Sequence, residues 1–295
     1  MPFIKNLASS GMLRHVGARF IWPAGGCARN LADRLIIDRK VRASALASLH
    51  TFLSARQIAS VLSPLDILKL WKGLFYALWM CDRAIPQQTL CAELADLIYI
   101  LPRDAVVPWL RGFWATMSRE WTSIDVLRME KFLLLVRRVL GASFGWMKSG
   151  SGKGADKAWD AGRVGDILTL LNEWPFSTAE EAQLGDGPDQ GHGAKSTQSI
   201  PAGLRLHVLD IWVDETEKVG LLEQGSEATE ILQRLSEQVD ILEQKTTSPA
   251  VRVRSKESLA DHRLQTKAGQ GESVGAEGTE MVDSGDGCSW DGFDD

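Results

Sequence analysis

Chemistry in this chain would have to come from five histidines, four cysteines, one glycine-rich stretch and a few spaced carboxylates. His15, His50, His192, His207 and His262 stand apart from any second His or Cys at ligand spacing, and a bound metal needs such neighbours. Cys27, Cys81, Cys91 and Cys288 form no C-x-x-C pair, which excludes a zinc knuckle or a thioredoxin-type motif. His207 sits in a Leu-rich run and reads as a packing residue. The stretch Ser149-Gly150-Ser151-Gly152-Lys153-Gly154 invites comparison with a phosphate-binding loop. It fails: Met147 replaces the first glycine, Gly154 replaces the Ser/Thr that would hold magnesium, and no strand precedes it. It reads as a flexible joint. Asp210, Asp214 and Glu217 share a helical face and could in principle hold a metal, but a solvated face is the default for such spacing. No G-x-S-x-G elbow is present. The expectation is a non-enzyme with no cofactor and no small-molecule substrate.

Charge is left to do the work. Residues 1–150 hold 20 Lys+Arg against 10 Asp+Glu, while residues 151–295 hold 13 against 28. A basic half can face phosphate-rich partners and an acidic half repels them. The candidate nucleic-acid or partner contacts are Lys69 and Lys72 on one face, Lys131 and Arg138 seven apart on another, and Arg111, Arg119, Arg128 and Arg137. Tracking a phosphate backbone needs several such heads on one side; a plain solvated face is the competing reading. The chain has 11 Trp and only 2 Tyr. The Trp fall mostly in apolar stripes, so they read as core before they read as base-stacking platforms. No sheet-plus-aromatic RNA signature occurs. No apolar run approaches the roughly 20 residues of a membrane span, and no secretory leader opens the chain, so reduced thiols in cytosol or nucleus are expected.

The elements that position these groups read as helices. Ser63-Pro64-Leu65-Asp66 is a helix start, followed by Ile67, Leu68, Trp71, Leu74, Phe75 and Leu78 at three- and four-residue spacing. Pro86 opens a helix that Pro102 stops. A third runs from about Arg103 to Trp121, and a fourth from about Ser123 to Met147 behind a Thr122…Asp125 capping box. Upstream, Asp38 to Arg56 is helical; downstream, helices are expected over Asp156–Trp174, from Pro201 to near Gly220, and over Ser226–Gln244. Short connections make sequential antiparallel neighbours. The expected fold is all-α, a HEAT-like or irregular antiparallel helical array. Its parts are a main domain over 1–148, a flexible linker over 149–155, C-terminal helices over 156–244 with a disordered loop at 175–199, and a disordered acidic tail over 245–295.

Asp66-Ile-Leu-Lys-Leu-Trp-Lys-Gly-Leu-Phe-Tyr-Ala-Leu-Trp-Met-Cys-Asp82 resembles the core signature of the ribosomal RNA-processing protein 1 family. Three further blocks agree in order: Phe113 to Trp121, Ile124 to Arg138, and Gly203 to Glu215. The resemblance implies an all-helical, non-catalytic scaffold of nucleolar pre-ribosomes that binds assembly factors and pre-rRNA, directly or indirectly, during large-subunit maturation. A helical adaptor for a complex unrelated to RNA is the alternative. One departure stands near the start. The family runs directly from a Phe-x-Lys-x-Leu-Ala-Ser-type segment into an Asp-Arg-Lys-type segment, whereas here Gly11 to Ile37 intervenes, 27 residues. This atypical insert reads as a translated intron: Gly11-Met12-Leu13 can be encoded by a donor-like string, Ala32-Asp33 by a branch-point-like string and Ile37-Asp38 by an acceptor. A genuine insertion loop is the alternative.

Overall fold

The computed structural model describes residues 39–54, 62–149, 158–179, 200–223 and 225–264. The expected insert at 11–37, nearly all of the joint at 149–155, most of the loop at 175–199 and the tail from 265 onward lie outside these residues. The described residues form helices α1 (Arg39–Leu53), α2 (Pro64–Trp79), α3 (Ala84–Asp96), α4 (Arg103–Glu120), α5 (Val126–Trp146), α6 (Ala161–Glu173), α7 (Ala202–Lys218), α8 (Ser226–Lys245) and α9 (Pro249–Leu259). The all-α expectation holds.

The start of α2 follows the sequence signal closely. The Ser63 hydroxyl accepts from the Asp66 amide at 3.2 Å and donates to the Asp66 carboxylate at 2.7 Å, with Pro64 in the first helical turn. The expected Thr122 cap is displaced. Trp121–Ser123 form a 3-10 turn, and α5 begins only after Asp125, which makes no side-chain capping bond. Ile124, buried and extended, takes up the chain between them. Similarly α6 starts at Ala161, where Asp160 accepts from the Arg163 amide at 3.0 Å, later than the expected Asp156. At the other end of α7, Gly220 at φ 81° closes a Schellman turn: its amide donates to Glu217 O at 2.9 Å and that of Leu221 to Thr216 O at 3.0 Å.

Two layers result. In one, α2 packs on α4, α4 on α6, and α6 on α8; in the other, α3 packs on α5, α5 on α7, and α7 on α9. Members of the second layer run in the same direction. Cys91 contacts Lys131 O and Tyr99 donates to Ala142 O, so α3 and α5 advance together. His207 meets Leu133 O and Glu215 meets Arg137, so α5 and α7 do too. Asp210 meets Arg254 and Glu217 meets Arg263, which sets α9 parallel to α7. Helix hairpins stacked so that like members align are the HEAT-like arrangement.

Aromatic side chains fill the space between layers. Trp71 donates its indole N–H to Trp109 O at 2.9 Å, with ring centroids 4.8 Å from Trp109 and 5.0 Å from Phe113. Phe75 stacks on Phe132 at 4.4 Å and so ties α2 to α5. Helix α4 can approach this closely because Gly112 has no side chain; a Cβ there would strike Ile67 and Trp71. Trp71, Trp109, Trp114 and Trp212 are all fully buried, as the apolar spacing implies.

The expected disordered tail over 245–295 is overturned at its start. Pro249–Leu259 is helical, and Val251 is completely buried. Only Val251 and Ser255 of α9 are buried, so no apolar stripe marked it in the sequence. Packing on α8 and polar contacts to α7 hold it together with this small apolar contact.

Candidate interaction surface

The carboxylates Asp210, Asp214 and Glu217 lie on one face, as their spacing requires, but that face is neither a metal site nor simply solvated. Arg254 from α9 pairs with Asp210, and Arg263 pairs with Glu217 at 2.7 Å and with Asp214 at 3.0 Å. Arg137 reaches Asp214 from α5 at 2.6 Å. Burial pulls the Asp214 carboxyl upward, but hydrogen bonds from Arg263 and Arg137 outweigh it and hold the group below the usual carboxylate range. A hydrogen bond from Arg263 lowers Asp261 to about 2. Next to these, Trp212 donates its indole N–H to Ser258. Carboxylates spaced along α7 thus receive arginines presented by α9, by the segment that follows it and by α5. No group of three or more potential metal ligands occurs among the described residues.

The eight candidate cations divide by environment. Lys131 is a correction: it is 4% exposed and cannot meet phosphate. Its ammonium donates to Trp79 O at 2.7 Å and Cys81 O at 3.0 Å, with Asp82 at 3.5 Å. It supplies a donor to carbonyls where α2 ends, to Trp79 O and, beside Gln87 Nε2, to Cys81 O. Burial pushes its pKa below the ordinary lysine value, partly opposed by Asp82. Arg137 is also committed, to Asp214 and Glu215, both at 2.6 Å. Glu215 is buried and also takes Lys218 at 2.6 Å; bare Gly141 on α5 leaves room for its carboxylate. Arg111 forms a two-pronged bond to Glu173 at 2.9 and 3.0 Å, joining α4 to α6. Arg119 pairs with Glu120 at 2.9 Å and Lys69 with Asp66 at 3.5 Å. Arg128 pairs with Asp125 at 2.5 Å and lies 5.2 Å over the Trp79 ring. Lys72 and Arg138 make no ion pair among the described residues, and Arg138 is exposed. The structure does not bring the eight onto one side.

Sequence reasoning missed Arg83, exposed at the N-cap of α3. It belongs to a wider pattern. The parallel layer lines up the starts of α3, α5, α7 and α9 along one edge; none of the four has a side-chain capping bond, and only α5, whose N-cap is Asp125, carries an acid at its start. The starts in the other layer do carry acids or caps: Asp66, Asp104, Glu227 and the Asp160 cap. Helix starts concentrate partial positive charge. His207 is a packing residue, as its Leu-rich run suggests, with Nε2 at 2.9 Å from Leu133 O, and burial lowers its pKa. No described helix is long and apolar enough to cross a membrane.

Comparison with known proteins gives the arrangement a context. A family model described as Nucleolar protein, Nop52 matches residues 26–287. Among curated proteins, the mouse ribosomal RNA processing protein 1 homolog A is 32% identical over 197 residues, covering 65% of this chain and 35% of that protein. The human homolog A is 31% identical over 194 residues, covering 64% and 37%. The Caenorhabditis elegans homolog is 27% identical over 180 residues, covering 61% and 39%. The matched part therefore spans little more than a third of each relative's length.

Proposed function

Starting from the chain's membership of the Nop52 family of nucleolar proteins, we propose that it serves ribosomal RNA processing as a non-catalytic scaffold in the nucleolus. It binds assembly factors and pre-rRNA within pre-ribosomal particles, those of the large subunit first. The observation that supports this most is the match of the family over residues 26–287, combined with relatives named for ribosomal RNA processing. A two-layer helical array fits that work: it offers long flanks, three of the four helix starts along one edge carry no acid, and its conspicuous carboxylates on α7 are taken up in packing.

Pre-rRNA contact then falls to Arg83, Lys72 and Arg138, cations of the basic half that make no ion pair among the described residues, rather than to Lys131 or Arg137. Co-sedimentation of the tagged chain with precursor particles, with and without nuclease, tests the reading. Association with particles that carry unprocessed rRNA, weakened by Arg83→Glu with Arg138→Glu at an unchanged melting temperature, is the expected result. A nuclease-resistant cytosolic complex free of rRNA would favour an adaptor unrelated to RNA and would overturn it.

A further inference from the structure

Helices α7 and α9 leave an open groove between them of about 520 Å³, lined by Leu206, Asp210, Pro249, Ala250, Val253, Arg254 and Glu257. Its floor is apolar. Val253 is 57% exposed, although it sits in a helix with few apolar residues to spare. On the rim, Arg254 is shared between Asp210 and Glu257, so two carboxylates face one guanidinium. The other cations of α9, Arg252 and Lys256, lie about 120–160° round the helix from Ala250, since successive residues turn by ~100°. The Arg252 guanidinium is also bound to Thr246 O, back toward α8. The groove therefore combines aliphatic surface with a net negative rim.

We infer that this groove docks a short protein segment that inserts an aliphatic side chain against Leu206, Ala250 and Val253 and presents a lysine or arginine to Asp210 and Glu257. Charge selects the class of partner. An RNA backbone brings phosphates to a rim with an excess carboxylate, which repels it. An aliphatic floor also offers no ring on which a base could stack. A basic-aliphatic peptide meets both features, and its cation completes the pairing that Arg254 alone leaves half-finished. This inference rests on the scaffold reading above and names one surface through which it works.

A photo-crosslinking amino acid placed at Val253 of the full chain, in cells, tests it. The expected product is a crosslink to one protein, at a peptide that has Lys or Arg within a few residues of the attachment point. The double variant Asp210→Asn, Glu257→Gln, made in the crosslinking chain, should lower that yield at least severalfold. Crosslinks to RNA, to acidic peptides, or to nothing while the chain still co-sediments with precursor particles would overturn the groove assignment and leave the scaffold reading standing. Failure of the unmodified chain to co-sediment would remove both. Because the double variant could loosen α9, hydrogen exchange over residues 249–264 is read in parallel. A Val253→Glu variant, which changes only an exposed position, must give the same loss of the partner from the particle; retention of the partner in that variant also overturns the inference.

Discussion

Replacing Lys131 by Met separates an interior lysine from a surface contact. Methionine keeps most of the buried aliphatic stem and removes the ammonium. Two carbonyls lose a charge-assisted donor, Trp79 O at 2.7 Å and Cys81 O at 3.0 Å. The second retains Gln87 Nε2 at 2.6 Å, so the first is the one left without a partner. A hydrogen bond to a charged group contributes about 1.5–3 kcal/mol, and an orphaned buried acceptor costs about 1–3 kcal/mol. The Asp82 pair adds little, because its carboxylate is 59% exposed. Relief of the desolvation that depresses the lysine pKa offsets part of the loss. The expected net loss is about 2–4 kcal/mol, which in a domain of this size lowers Tm by roughly 4–16 °C. Lys131→Glu should do worse, since it places a carboxylate against the same carbonyls and Asp82. Thermal melting followed by circular dichroism gives the answer. If Lys131→Met melts within a degree of the parent yet loses particle association, the interior-lysine argument is wrong and Lys131 is a contact residue after all.

Gly112→Ala should destabilise the array by about 1–3 kcal/mol, because the new methyl meets Ile67 and Trp71 where α2 crosses α4; a denaturant midpoint equal to that of the parent would contradict the close crossing. Acid should loosen α9 ahead of the rest. Asp261 is held down at about 2 and Asp214 below its usual value, so their contribution is complete above pH ~4 and is lost as pH falls toward about 2. Hydrogen exchange should show amides 249–264 opening first in that window, and simultaneous opening of α3 and α4 would refute it. For residues 11–37, messages read across the codons of Ser10 and Asp38 should include a form that joins them directly; retention of the segment in every mature message would end the intron proposal.

What the sequence made visible depended on how local each determinant is. The start of α2 was legible because Ser63, Pro64 and Asp66 act within one turn. The core was legible because Trp71, Leu74, Phe75 and Leu78 recur on a helical stripe. Helix α9 was not, because its hold comes from Arg254 and Arg263 meeting carboxylates 44 and 46–49 residues earlier. Periodicity cannot report such contacts. The face formed by Asp210, Asp214 and Glu217 was predicted by spacing, but its arginine partners lie on other helices. Lys131 misled for a related reason. A lysine seven residues from Arg138 shares its face on a wheel, yet the end of α2 covers the first and leaves the second open.

The side-by-side alignment of α3, α5, α7 and α9 has a mechanical corollary. Each helix leans on the member before and after it, and no point exists where all of them meet. Tension applied at the carboxyl end should peel the stack one hairpin at a time, beginning with the arginine-fastened α9, and shorten the folded length in discrete steps. A single all-or-none rupture under force would mean that the seams are coupled more strongly than their contacts suggest.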